Sequence, residues 1–341
     1  MTEAITRGLK IRWADGEAAV EVEGVECALA LDIGGTKVAA ALVTAAGQFA
    51  ARAARRWNPR ESDSAWQALV EAAETAIQAQ PGSRLVGIGV GAPAVVERQA
   101  GVIVWAPNIP AWDHFPLGER LEAHFHCPVR VDFDGHMATL GEHWLGAGRG
   151  VDDLALMAVG TGIGGGIISG GRLLRGVLGL AGAVGWMRVG LPPTCRAGEP
   201  FYPGWEERSS RQGFLESLAA GPAILARANH LAGSSPRYAD TPAVFAACRR
   251  GESSACQAVE EAAWALGVAA GNLVSTVGCR RVILGGGVGE EADLLLPTMR
   301  RVMAEYAQPW VGKRAEIVPA ELGNAAGLAG AARLVWTVGQ A

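Results

Sequence analysis

Apolar residues along this chain fall into short blocks separated by polar, glycine-rich breaks. The blocks predict strands at 27–33, 38–43, 85–90, 101–104 and 128–132. Trp66, Leu69, Val70, Ala73 and Ile77 recur at helical spacing and predict a helix over 65–79. Ser64 and Gln67 offer it a capping box, and Pro81-Gly82 stops it. A second helix fits 117–125, with Leu117, Leu121 and Phe125 inward. The run from Leu154 to Ile168 reads as two apolar strands about a glycine-rich tip. Helices near 214–230 and 255–277 follow, then the strand Arg281–Leu284 and a closing helix near 324–337. Residues 1–26 precede this pattern as an extension; an Asp15-Gly16 turn and the alternation of Ala18, Val20 and Val22 predict a small β-hairpin there. Strands alternating with helices indicate an α/β fold.

The candidate chemistry sits at the breaks. Asp32-Ile33-Gly34-Gly35-Thr36-Lys37 joins two apolar strands. Glycines let a backbone approach phosphate closely and point N–H groups at it. Thr36 adds a hydroxyl and Lys37 a charge, one of only three lysines, with Lys10 and Lys313. Asp32 is an acid suited to holding a metal ion beside phosphates. Gly160-Thr161-Gly162 tips a second hairpin, which suggests two lobes of related design. Gly160 to Gly165 matches G-x-G-x-x-G, but a dinucleotide site needs a helix straight afterwards, and Gly166-Ile167-Ile168 reads as strand. Gly285-Gly286-Gly287 follows a strand and suits close approach to a nucleotide.

Composition narrows the setting. The 341 residues can hold two cores, and half of them are apolar. A net charge of −4 makes no electrostatic case for nucleic acid. No apolar run is long and clean enough to cross a bilayer, and the first residues lack a signal-peptide apolar region. Six cysteines scattered without a C-x-x-C pair fit reduced thiols in a cytoplasm.

Together these motifs resemble the ROK family of sugar kinases and repressors, within the actin and hexokinase superfamily, from about residue 27 onward. Asp32–Lys37 looks like the family's first phosphate motif, Gly160-Thr161-Gly162 like the second, and Gly285-Gly286-Gly287 like the adenosine motif. Ala106-Pro107-Asn108-Ile109-Pro110-Ala111-Trp112 is similar to its sugar-side segment, and Asp134 with Glu142 matches its Asn-Asp-x-Asn and Gly-Glu stretch. The resemblance implies a two-lobed actin-like (ribonuclease H-like) ATPase fold with the active site in the interlobe cleft. The expected division is a small lobe over 27–137, completed by a helix over 322–338, and a large lobe over 138–321. It implies an ATP- and Mg2+-dependent kinase acting on a small sugar-like molecule, and a homodimer. Asp134 would take a proton from the attacking hydroxyl as catalytic base. Asp132, two residues earlier and on the same face if the strand continues, reads more simply as a solvated loop acid.

The chain also departs from the family. The zinc-and-sugar box has become Ala183-Val184-Gly185-Trp186, Cys195-Arg196-Ala197-Gly198 and Gly213-Phe214-Leu215-Glu216. With Trp186, Ala197 and Phe214 at three usual ligand positions, Cys195 alone builds no tetrahedral site, so no structural zinc is expected. The insertion Glu199–Gln212, with Phe201, Tyr202 and Trp205, would staple this region by packing. Phe133, Ala183 and Trp186 replace polar sugar contacts, His136 replaces another Asn, and Asn108 and Glu216 remain as polar candidates. Trp186 is either a stacking surface or core packing. A deoxy sugar, cyclitol or substituted sugar is expected over plain glucose. The rival class is a non-catalytic sugar or nucleotide sensor. A DNA-binding repressor is disfavoured because no such module precedes residue 27.

Overall fold

The computed structural model describes residues 9–14, 17–22, 24–58, 61, 63–107, 109–195, 198–233 and 236–337. The chain forms two compact units. The first gathers the chain up to Leu145, the short segment Val177–Leu180 and the chain from Ala325; the second holds Gly146–Gly176 and Ala181–Asn324.

In the first unit, β1 (Leu9–Ala14) and β2 (Glu17–Val22) pair antiparallel as the expected hairpin; its turn, Asp15-Gly16, lies outside the described residues. The main elements are β3 (Glu26–Ile33), β4 (Lys37–Thr44), β5 (Phe49–Arg56), α1 (Ser64–Gln78), β6 (Arg84–Ala92), β7 (Val95–Glu97), β8 (Val102–Trp105), α2 (Leu117–Phe125), β9 (Val129–Phe133) and α3 (Asp134–Leu145). The sheet runs β5-β4-β3-β6-β9, with β3, β6 and β9 parallel and β4 and β5 antiparallel. Side chains alternate across its two faces. Cys27, Leu29, Leu31 and Ile33 face a core with Leu69, Ala72 and Ala73 of α1. Ala28 and Ala30 face the opposite core, with Met137 and Leu328.

The capping box over α1 does not form. Ser64 lies inside the helix after Asp63, and its hydroxyl accepts the Asn58 N–H (2.8 Å), closing the preceding loop instead. The acid reading of Asp132 also changes. The strand ends at Phe133 and a helix starts at Asp134, so the two acids belong to different elements, and Asp132 is buried.

The second unit repeats the arrangement. Its elements are β10 (Leu154–Val159), β11 (Ile163–Ser169), β12 (Arg172–Leu174), α4 (Trp205–Gln212), α5 (Glu216–Ala219), α6 (Gly221–Ala232), α7 (Thr241–Arg249), α8 (Ser253–Val277), β13 (Arg281–Gly285), α9 (Gly286–Gly289), α10 (Ala292–Tyr306), α11 (Pro309–Gly312) and β14 (Glu316–Pro319). The sheet order is β12-β11-β10-β13-β14, with β10, β13 and β14 parallel and β11 and β12 antiparallel. Each sheet thus starts from a central strand, adds an antiparallel hairpin on one side and parallel strands on the other. The helix expected near 214–230 is broken into α5 and α6, because Pro222 in the first turn of α6 cannot continue a helix from before it.

The insertion is packed as anticipated. Phe201 and Tyr202 are buried, Trp205 meets Phe214 edge to face, and the Tyr202 hydroxyl donates to the Ser217 carbonyl (2.8 Å). Arg227, itself buried, donates to the Phe201 carbonyl (2.6 Å) and to both carboxylate oxygens of Glu261 (2.6 and 3.0 Å). Thr194 and Gln257 also donate to Glu261, which ties the stretch before the insertion to α8.

The final helix, α12 (Ala326–Trp336), returns to the first unit. It lies on the face of β6 that carries Gly87, Gly89 and Gly91, in register with Ala28, Ala30 and Asp32 of β3. With no side chains on that face, backbones come into direct contact. A methyl at Gly89 would overlap the Ala331 carbonyl, and one at Gly87 would sit 2.7 Å from a Val335 methyl. The crossing of α12 with α3 is equally tight. A methyl at Gly330 would lie 2.5 Å from the Met137 carbonyl carbon, and one at Gly141 would lie 2.9 Å from that of Ala326.

Candidate active site

The first unit carries several of the expected site residues. The hairpin joining β3 and β4 turns through Gly34–Thr36, closed by the Gly34 N–H donating to the Lys37 carbonyl (2.8 Å). Trp57, which sequence reasoning missed, clamps the tip: its indole N–H donates to the Gly34 carbonyl (3.0 Å) and its backbone N–H to the Thr36 carbonyl (3.1 Å). Gly35, Thr36 and Lys37 are exposed, and the Gly35 and Thr36 N–H groups have no partner among the described residues. An exposed tip with outward amides can receive an anion.

Asp32 ends β3 beneath this tip, and Asp134 opens α3 after β9. Both carboxylates are largely shielded from water, and among the described residues neither has an ion-pair partner. Burial pushes the Asp32 pKa up to about 6, with Lys37 opposing. Burial first, and then the Asp32 charge, push Asp134 up to about 7. The Gly135 N–H, donating at 2.7 Å, offsets part of this. Two shielded acids without an ion-pair partner among the described residues, one raising the pKa of the other, fit a site for a divalent cation. Magnesium needs only one or two protein carboxylates and completes its shell from water and phosphate. No group of three or more His, Cys, Asp or Glu side chains gathers among the described residues. The floor under Asp32 is Gly327 of α12, where a methyl would stand 2.7–2.8 Å from the carboxylate atoms.

Beside Asp134 lies a second acid cluster. Asp132 accepts from the Phe133 N–H (2.8 Å), pairs with His136 Nδ1 (3.1 Å) and receives Arg98 Nε (3.0 Å). Burial acts to raise its pKa, but His136, Arg98 and the Phe133 amide outweigh that and hold it below the usual carboxylate range. His136 is fully buried and its ring meets Phe133 edge to face. Phe133 itself is half-buried. Asn108 lies outside the described residues.

The second unit carries the remaining candidate residues. Gly160–Gly162 closes the β10–β11 hairpin, with the Gly160 N–H donating to the Gly162 carbonyl (2.8 Å). The Thr161 and Gly162 amides have no partner among the described residues. Glu216 supports this tip: its Oε2 accepts the Ile163 N–H (2.7 Å), and a methyl at Gly162 would meet the same oxygen at 2.7 Å. Burial raises the Glu216 pKa. Gly285 ends β13, and Gly286 and Gly287 open α9 against the tip: a methyl at Gly286 would overlap the Val159 carbonyl, and one at Gly160 would touch the Gly287 nitrogen at 3.9 Å. Ala183 precedes the turn Val184–Trp186, where Gly185 packs against Ile163 and Glu216. Trp186 is 59% exposed, which leaves the surface reading and removes the core one. Phe214 is buried against Trp205, with the Arg188 guanidinium over its ring, and Cys195 is half-buried; Ala197 lies outside the described residues.

Comparison with known proteins bears on this arrangement. The model of the ROK family matches residues 28–338. A glucokinase from Halalkalibacterium halodurans is 33% identical over 327 residues, which cover 89% of this chain and 93% of that protein. The crystal structure of a ROK family glucokinase from Streptomyces griseus in complex with glucose and AMPPNP is similar, with a TM-score of 0.73 and 30% identity over 90% of this chain and 98% of that one. A ROK hexokinase from Thermus thermophilus has a TM-score of 0.72 and 33% identity over 90% of this chain and 96% of that one. The fold is the two-lobed actin-like ATPase fold. By its motifs, its duplicated sheets and these matches, the chain belongs to the ROK family.

Proposed function

We propose that this protein transfers the γ-phosphoryl group of ATP to a hydroxyl of a sugar or sugar-like molecule. It is a carbohydrate kinase. The observation that carries the reading is the Asp32–Asp134 pair under an exposed glycine tip, with Asp134 held near neutrality by burial. Asp134 accepts the proton of the attacking hydroxyl. The hydroxyl oxygen forms a bond to phosphorus as the bond to the β-phosphate oxygen breaks, and ADP leaves. Gly34, Gly35, Thr36 and Lys37 contribute amides, a hydroxyl and a charge to phosphate. Gly160, Thr161 and Gly162 do the same from the second unit, and Gly285, Gly286 and Gly287 leave room for the nucleoside. Asp32 is the residue to hold Mg2+, which when bound supplies positive charge beside the phosphates.

The acceptor is a deoxy sugar, cyclitol or substituted sugar. Phe133, Ala183 and Trp186 take motif positions that are polar in the family's sugar box, Glu216 spends one oxygen on the Ile163 amide, and Asn108 is a remaining polar candidate by sequence. Each unpaired hydroxyl buried there costs about 1–3 kcal/mol, so glucose should bind poorly. The setting is cytoplasmic, without nucleic acid or membrane partners, and the working form is a homodimer. Among the described residues no helix is long and apolar enough to cross a membrane.

The test is a screen of sugars and cyclitols for ATP-dependent phosphorylation, with kcat/KM measured for glucose against less hydroxylated and substituted analogues. Asp134→Asn should keep ATP binding and lose turnover by about 10²–10⁴ on the best acceptor. Near-normal turnover in that variant sinks the base assignment. Glucose as the best acceptor sinks the specificity assignment alone.

A further inference from the structure

The cluster beside Asp134 has no part in the chemistry above, yet it is built with care. Asp132 is 1% exposed and His136 is 0% exposed, both on elements that meet at the base. Sheet register puts Asp32, Gly91 and Asp132 in one row across β3, β6 and β9, so the two acids share a face. They do different things there. Among the described residues Asp32 has no ion-pair partner, whereas Asp132 is bonded from two sides, by Arg98 and His136.

The bonds of Asp132 bracket the base. One carboxylate oxygen takes the amide of Phe133, the residue before Asp134, and Nδ1 of His136, two residues after it. The other oxygen takes Arg98 Nε from the loop that follows β7. Asp134 itself has a hydrogen bond to the Gly135 amide inside the same bracket. The residues flanking the base are therefore tied to one buried carboxylate, Phe133 through its backbone amide and His136 through its ring, and that carboxylate is fixed by a guanidinium from a different part of the unit. A turn between strand and helix is otherwise free to pivot, and a displacement of about 1 Å at a reacting group can cost on the order of 10² in rate.

We infer that Asp132, held between His136 and Arg98, is the positioning residue that fixes Asp134 against the attacking hydroxyl. This rests on the reading of Asp134 as the base. The Phe133 and His136 side chains, which stand at two positions where the family carries Asn, become parts of the bracket: the ring of one packs on the ring of the other.

Two variants test this. Asp132→Asn keeps the shape and removes the charge. Arg98→Ala changes a side chain that is 37% exposed, so it folds even where the buried variant does not. Both should lower kcat by about 10–100-fold, with KM for ATP within about threefold of wild type. Arg98→Lys should recover part of the loss. The deciding measurement places Asp132→Asn and Arg98→Ala in the Asp134→Asn background. A group that acts only through the base has nothing left to position, so residual turnover should stay at the Asp134→Asn level. Losses that multiply in that background overturn the inference and mark a general structural role. So does wild-type kcat in both single variants while Asp134→Asn is inactive. Full turnover in Asp134→Asn itself instead removes the assigned base and leaves nothing for Asp132 to position.

Discussion

Two glycines one turn apart on α12 should respond to the same substitution in opposite ways. Gly330 faces backbone: a methyl there would stand 2.5 Å from the Met137 carbonyl carbon and 2.8 Å from its Cα. Ordinary contact needs 3.4–4 Å, so α12 and α3 would have to part. They are pinned nearby by Gly141 against Ala326 and by Gly89 against Ala331. Overpacking of this kind costs about 3 kcal/mol, and alanine's better helix propensity returns up to about 1 kcal/mol. The net loss of roughly 2 kcal/mol lowers Tm by about 4–8 °C. Gly327 faces instead the end of one short side chain, the Asp32 carboxylate, at 2.7–2.8 Å. Asp32 can move aside by about half an ångström at little cost in stability, but it then leaves the place from which it would hold a cation. Gly327→Ala should therefore keep Tm within about 2 °C of wild type and lose ten- to a hundredfold in kcat. The assay is thermal unfolding beside steady-state kinetics for wild type, Gly327→Ala and Gly330→Ala. A Gly330→Ala protein as stable as wild type would refute the close crossing. A fully active Gly327→Ala protein would refute the role given to Asp32.

Other outcomes follow from the charges. With Asp134 near 7 and active only when deprotonated, kcat/KM should fall about tenfold per pH unit below that point, read from a pH–rate profile between about pH 5 and 9. Asp32 has a folded pKa of about 6 against 3.8 ordinarily, so the folded state binds the proton more tightly and stability falls as pH rises between those values. Asp32→Asn should accordingly raise stability at pH 8 by on the order of 2 kcal/mol and lose that advantage below about pH 4, in denaturant titrations at the two pH values. Arg227→Ala leaves Glu261 buried without its partner and should cost about 3–5 kcal/mol, seen as an earlier urea midpoint. Purified protein should carry no stoichiometric zinc by elemental analysis, and a zinc chelator should leave its unfolding curve unchanged; one zinc per chain would contradict the reading of Trp186, Ala197 and Phe214.

Much of the fold was legible because the strands are apolar runs bounded by glycine, and the two tips announce themselves by composition. Asp32 and Asp134 could be picked out by local motif. What stayed hidden depends on partners distant in sequence. Asp132 looked like a loop acid because nothing in its neighbourhood points to Arg98, 34 residues earlier. Trp57 looked like one more tryptophan until its indole was seen against Gly34, and that bond links positions 23 apart. One signal was available and went unread: Gly87, Gly89 and Gly91 alternate with Ile88 and Val90, so one face of that strand is bare backbone. Such a face lets a helix approach closely, and α12 meets it with the Ala331 backbone and the Val335 side chain.

The closing position of α12 also has a meaning for how the protein is made. The sheet of the first unit is synthesised before the second unit, but the helix that covers Ala28, Ala30 and the bare side of β6 is synthesised after it. The Trp336 indole donates to the Val43 carbonyl across 293 residues. At ribosomal speeds of roughly 5–20 residues per second, that sheet waits on the order of 10–40 s after β9 for its cover, while nearly all of the second unit is made in one continuous stretch. A nascent chain carries an uncovered small-residue face through that interval, in which a chaperone would matter. Because the same helix forms the floor beneath Asp32, a chain that stalls before Gly327 lacks that floor.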